Sequence, residues 1–213
     1  MCFYTTLKKD AETLKKRFDA LVDNEKLLNN LHNETINGFS NPLIPIIANN
    51  NKSLITFGKW GLLPIWANGS FNTNTLNAKI ETIQEKPSFS PYVNNRCLVI
   101  ADGFFEWKWL DIKGKRKEKY YITLPHQEVF AFAGIYAPLT QSDGTTINTV
   151  SILTTQANEF MANIHNTKKR MPIILVPNEE KQWLNGINME NFKNCNPQLI
   201  AQIEESNGQQ YLF

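Results

Sequence analysis

The sequence predicts an α+β fold, a curved and mainly antiparallel β-sheet or open barrel flanked by a few helices, folded as a single domain over residues 1–213. Short runs of β-branched, aromatic and other apolar residues recur along the chain, turn-forming residues separate them, and few stretches carry helical periodicity. No repeat, linker or low-complexity segment interrupts the 213 residues, enough chain for a core without disulfide staples.

The elements follow in order. From Asp10 to Leu31, residues Leu14, Phe18, Leu21, Val22, Leu28 and Leu31 are spaced for one helical face, with Asp10 as its cap. Polar Asn33 to Asn41 breaks that pattern, and Pro42 to Ile47 reads as extended. Asn49 to Lys52 then turns the chain into a hairpin partner at Ser53 to Phe57. Further strands are expected at Cys97–Ala101, Tyr120–Leu124, Val129–Tyr136, Thr149–Leu153 and Ile173–Val176, with turns at Asp111–Gly114 and Ser142–Gly144. Helices are expected at Gln156–Ile164 and Glu179–Leu184.

Composition narrows the function. Hydrophobic content of 42% and charged content of 20% are ordinary for a globular protein, and a net charge of +2 does not by itself argue for nucleic acid. Three cysteines, Cys2, Cys97 and Cys195, have neither disulfide-framework nor zinc-ligand spacing. The expectation is a cytoplasmic protein without metal or organic cofactor, with no signal peptide and no membrane span.

Four places carry chemistry. Cys2 follows the initiator Met1, whose removal is expected before so small a residue. Removal leaves a thiol and an α-amine as neighbours. The amine can condense with an aldehyde to an imine, and the thiol can then close a thiazolidine ring. Trp60-Gly61-Leu62-Leu63-Pro64-Ile65-Trp66 makes a stiff aromatic loop, suited either to stacking on a base or to finishing a core edge. Glu106 lies among Phe104, Phe105, Trp107 and Trp109, where burial would raise its pKa for acid–base work; strand alternation equally allows it to face water or Lys108. His165 falls at a helix end before Lys168, Lys169 and Arg170, a loop for anions or a solvated surface patch.

As an ordered set these segments resemble the SRAP family, the SOS-response-associated, abasic-site-processing proteins. The resemblance rests on Met1-Cys2, on Asn77-Ala78-Lys79-Ile80-Glu81-Thr82, on Arg96-Cys97 through Ala101-Asp102-Gly103-Phe104-Phe105-Glu106-Trp107, and on Ile164-His165 with Arg170-Met171-Pro172. It implies a sensor of abasic sites in single-stranded DNA that forms a covalent thiazolidine crosslink and shields the lesion during replication. Carried over by motif, Cys2 supplies the amine and thiol. Asn77 orients the N-terminal residue and the sugar, Glu106 handles protons, and His165 assists opening of the deoxyribose ring. Lys79, Lys86, Arg96 and Arg170 are expected to hold phosphates, and Trp66 to stack on a base. The chain departs from the family at Phe3-Tyr4, where Gly-Arg is common, and at Lys79, where arginine is usual.

The partner implied is single-stranded DNA containing an abasic site, bound by a monomer that joins the nucleoid when on DNA. Weak abasic-site lyase activity is a natural side reaction of the imine. Two other classes of function remain: a Cys2-dependent thiol peptidase or autopeptidase, which the family resemblance also brings, and a non-covalent single-strand-binding module using Trp60, Trp66 and the basic residues.

Overall fold

A computed structural model describes residues 2–31, 35–67, 75–194 and 197–204. Met1, His32, the polar 68–74 stretch, Cys195 and the last residues lie outside these. The chain opens with strand β1 (Tyr4–Thr6), then helix α1 (Ala11–Phe18), β2 (Leu21–Val22), α2 (Glu25–Asn30) and β3 (Thr35–Asn37). The hairpin β4 (Leu43–Ala48) and β5 (Asn51–Trp60) follows, then the short β6 (Asn77–Lys79). Strands β7 (Arg96–Ala101), β8 (Gly103–Trp109), β9 (Lys117–Thr123), β10 (Phe130–Thr140) and β11 (Thr146–Gln156) form the long middle section. Helix α3 (Glu159–Ile164), β12 (Arg170–Pro172), β13 (Ile174–Leu175), α4 (Pro177–Leu184) and β14 (Ile200–Ile203) complete the described chain.

The expected curved sheet closes on itself. Strands β11, β10, β7, β4 and β5 are neighbours in that order, and β5 returns to β11 through a parallel seam pairing Gly58 with Asn148 and Trp60 with Val150. Gly58 permits that closure: a Cβ there would lie 2.3 Å from a Val150 methyl. Ring closure leaves these five strands without a free edge. A second, antiparallel sheet runs β14-β9-β8-β1-β3. Phe104 of β8 meets Phe132 of β10 at 5.7 Å between ring centroids, and Phe130 packs on Phe132 at 5.0 Å, so aromatics join the two sheets.

Each predicted strand overlaps an observed one, although Pro42, Leu124 and Val129 fall one residue outside β4, β9 and β10 and the 173–176 run forms only the two-residue β13. The long helix of residues 10–31 does not form as one element. Asp10 does cap it, accepting the Thr13 N–H at 2.9 Å, and Leu14 and Leu28 are buried. The helix stops because Asp19 takes a left-handed conformation (φ 50°) and turns its N–H back to Lys15. Leu21 and Val22 then pair beside β5, leaving Leu21 71% exposed, and Asn24 caps a second helix by accepting the Leu27 N–H. No helix among the described residues is long and apolar enough to cross a membrane.

Candidate functional site

The start of the chain is fixed by β1. Thr5 pairs with Phe104 and Thr6 with Gly103, which sets β1 beside the strand that carries Glu106. The preceding Asp102 pins the pair: its carboxylate accepts from the Thr6 hydroxyl at 2.7 Å and from the Lys8 N–H at 2.5 Å. Tyr121 of β9 shares the Thr6 hydroxyl at 2.9 Å, and it lies where a Cβ on Gly103 would sit, 2.4 Å from its ring. Asp102 and Gly103 therefore have a stated use, aligning the N-terminal strand. Sequence reasoning gave neither a role, although an Asp-Gly pair directly after a strand is a turn signal.

Cys2 is completely buried. Its carbonyl accepts a 2.9 Å hydrogen bond from the Asn77 side-chain amide, and its thiol leans toward the Tyr4 carbonyl at 3.9 Å. Asn77 opens β6, which pairs in parallel with β11 through Asn77 and Ile152. Its Oδ1 is buried without a hydrogen-bond partner, an open acceptor beside Cys2. Burial, and after it the Glu106 carboxylate, push the Cys2 thiol well above the usual thiol range; the amino terminus and the Tyr4 hydrogen bond oppose this. Glu106 is buried, so the strand turns it inward rather than toward water.

His165 ends α3, the helix that packs against β8. Its Nδ1 lies 2.8 Å from the Arg170 carbonyl, which can only accept, so Nδ1 carries the proton and Nε2 is the basic nitrogen of the neutral ring. The Arg170 N–H also approaches Nδ1, but at 3.4 Å it is the weaker contact. The next residue ties this loop to β8. Asn166 donates to the Trp109 carbonyl at 2.8 Å and accepts the Trp109 N–H at 3.1 Å, imitating a strand partner. Cys2 and Asn77 thus touch directly, Glu106 acts on the thiol electrostatically, and His165 is held to the Glu106 strand through its neighbour.

The phosphate-holding set fares unevenly. Lys79 and Lys86 are exposed. Arg96 is not available: it is 5% exposed, donates to the Ile187 carbonyl at 2.6 Å and the Trp183 carbonyl at 3.3 Å, and stacks on the Trp183 ring. Arg170 is also committed. Its guanidinium grips both oxygens of Glu81 at 2.7 and 2.8 Å and donates to the Thr154 carbonyl at 2.7 Å. The two tryptophans separate in role. Trp60 is fully buried with its indole N–H on the Leu76 carbonyl, so it cannot stack on a base, whereas Trp66 is 54% exposed.

A closed five-stranded barrel with a second antiparallel sheet that fastens a buried cysteine near the chain start, with the Asn77 amide on its carbonyl, defines the class as a small mixed α+β barrel protein. The chain matches the SOS response associated peptidase (SRAP) family over residues 1–211 and belongs to it. It is 41% identical over 166 residues to the abasic site processing protein YoaM of Bacillus subtilis, covering 77% of this chain and 68% of that one. To the abasic site processing protein HMCES of Xenopus tropicalis it is 27% identical over 162 residues, 64% of this chain and 47% of that one. A crystal structure of a protein from Bacteroides thetaiotaomicron superposes with a TM-score of 0.83 at 32% identity, covering 96% of this chain and 92% of that one. One from Bordetella bronchiseptica, at 21% identity and a TM-score of 0.79, shares the fold.

Proposed function

We propose that this protein processes abasic sites in single-stranded DNA by covalent capture through Cys2, once Met1 has been removed. The observation that carries the reading is the Asn77 hydrogen bond to the Cys2 carbonyl, which holds the N-terminal residue rather than merely its side chain. An internal thiol nucleophile has no need of that grip; an α-amine that must meet an aldehyde does. The names of the Bacillus and Xenopus relatives point to the same substrate.

The steps balance without any oxidant or cofactor. The ring-opened deoxyribose presents an aldehyde, to which the Cys2 amine adds. Loss of one water gives the imine. The Cys2 sulfur then bonds to the imine carbon, and the thiol proton ends on nitrogen as the thiazolidine closes. We assign that proton to Glu106, a reading supported by its burial and by the part its carboxylate has in raising the Cys2 thiol. His165, with Nε2 as its basic nitrogen, is the group for the sugar hydroxyl proton during ring opening.

The peptidase reading is the weaker one. A thiol hydrolase needs a thiolate and an oxyanion site, and the environment of Cys2 keeps its sulfur protonated. Intact mass spectrometry after incubation with an oligonucleotide carrying one abasic site tests the choice. A heat-stable adduct on protein lacking Met1, lost in Cys2→Ser, is the expected result. Protein lacking Met1 that binds the strand yet forms no adduct would end the covalent reading.

A further inference from the structure

The densest positive charge in the chain lies outside every residue assigned so far. Between Lys108 and Lys119 the β8–β9 hairpin carries six lysines and arginines against two acids, more net positive charge than the +2 of the whole protein. Asp111 offsets part of this charge, its carboxylate facing its own turn and lying 3.9 Å from the Arg116 guanidinium, a loose pair that leaves Arg116 exposed. It accepts the N–H groups of Arg116, Lys115 and Lys113 at 2.6, 3.1 and 3.0 Å, which hold it below the usual carboxylate range. Lys119 is engaged by Glu204 and the Phe105 ring; Lys113, Lys115, Arg116 and Lys117 stand exposed.

The turn of the hairpin packs on Trp109. Gly114 (φ 64°) folds the turn so closely onto Trp109 that a Cβ would lie 2.5 Å from the indole, and the Lys117 ammonium sits 5.0 Å from the ring centroid. Beside it runs a shallow groove of about 510 Å³ lined by Trp109, Leu110, Asp111, Ile112, Asn166 and Thr167. Ile112 is wholly exposed. Beyond Thr167 come exposed Lys168 and Lys169, the latter fixed by its N–H on the His165 carbonyl at 3.0 Å. Trp109 is three residues along β8 from Glu106, about 10 Å.

We propose that this hairpin and the 166–169 loop form a cationic cradle for single-stranded DNA flanking the reaction site, its phosphates on Lys113, Lys115 and Arg116 and its bases over the apolar floor. The inference rests on the reading of the protein as a single-strand binder. Charge complementarity selects the occupant, since a strand offers regularly spaced phosphates together with flat bases for such a floor. The Asn166 clasp on Trp109 joins the cradle to the His165 loop.

The test is the salt dependence of binding to a single strand without any abasic site, read by fluorescence anisotropy. Lys113→Ser, Lys115→Ser and Arg116→Ser together should flatten the log–log salt slope by about 2, at ~0.7 per lost phosphate contact, and weaken binding about tenfold at low salt. The control triple Lys16→Ser, Lys26→Ser and Lys59→Ser removes equal charge elsewhere and should leave the slope unchanged. Thermal melting of both triples should match wild type, as all six side chains are exposed. An unchanged slope in the hairpin triple, an equal change in the control, or a loss confined to a duplex of the same sequence each overturns the proposal. Adduct formation is scored separately: a slope change without any adduct keeps the cradle and sinks covalent capture, and the converse sinks only the cradle.

Discussion

The Asn77 side chain donates to the carbonyl of Cys2 at 2.9 Å while its own Oδ1 stays buried and unbonded. One amide therefore both holds Cys2 and leaves a buried acceptor open next to it. An orphaned buried acceptor costs stability, about 1–3 kcal/mol, which makes Asn77 a position to test.

Removing that grip should slow capture more than it weakens the fold. Asn77→Ala forfeits about 1 kcal/mol of positioning and relieves the unbonded oxygen, so melting should move little. The adduct rate with an abasic strand is expected to fall about tenfold while binding of an intact strand is unchanged. Asn77→Asp keeps an acceptor but loses the donor, and should be slow as well. A normal rate in both variants would remove Asn77 from the site.

The Cys2 thiol is pushed up in the folded protein, so the native state prefers it protonated. Its contribution to stability is complete below the unfolded thiol range, roughly pH 8.5, and is lost as pH rises above it. Melting temperature should therefore decline from about pH 8.5 upward, and Cys2→Ser should flatten part of that decline. Cys97, also buried and pushed up, supplies another part. Iodoacetamide labelling of folded protein at neutral pH should be slow at both. Rapid labelling of Cys2 would mean a stabilised thiolate and would revive the peptidase reading.

The strand pattern was legible because apolar runs such as Cys97–Ala101 and Val129–Tyr136 are buried throughout. Closure of the barrel was not, since the β5–β11 seam depends on a glycine meeting a valine that is 92 positions away. Hydrophobic spacing also overran Asp19, where a left-handed turn and the pairing of Leu21 with Leu54 outcompeted helix. At the site, Cys2 and Asn77 were readable as residues, but their contact was not. The engagement of Arg96 and Arg170 was not legible either: a sequence displays a charge without displaying the carbonyls or carboxylate that it already meets.

Arg96 should behave as a structural residue. Arg96→Met leaves the carbonyls of Trp183 and Ile187 without their donor and strips the stacked cation from the Trp183 ring. A loss of about 2 kcal/mol is expected in denaturant unfolding. The salt slope of single-strand binding should not change. A slope flattened by about 0.7 would restore Arg96 to the phosphate contacts.

Glu106→Gln poses two opposing effects on the thiol. Loss of the charge lets the Cys2 sulfur ionise more readily, which would speed its attack on an imine. Burial, however, is the larger cause of its raised pKa and remains, so at neutral pH the sulfur still needs a partner to take its proton. Adduct formation should slow, by about 10²-fold or more, with strand binding within a few-fold of wild type. Reaction at the wild-type rate would show that water, not Glu106, moves the proton.

Arg170 distinguishes holding a phosphate from holding the histidine. Its guanidinium is spent on Glu81 and Thr154, while its carbonyl receives the His165 Nδ1–H, so it fixes the imidazole from behind. Glu81 is held below the usual carboxylate range, with the Arg170 hydrogen bond the chief cause lowering it against partial burial. Arg170→Lys keeps the charge but cannot span both Glu81 oxygens. If the residue is a positioning residue, that variant should slow adduct formation several-fold and shift the alkaline or acidic limb of its pH profile, with an unchanged salt slope. Glu81→Gln should reproduce the same defect, because it loosens the same fork from the other side. A phosphate contact predicts the reverse pattern: Arg170→Lys nearly silent in rate, Arg170→Met flattening the slope by about 0.7, and Glu81→Gln tightening binding by freeing the cation. The bidentate geometry favours the first pattern, and the two pairs of variants separate them without assuming which step limits the rate.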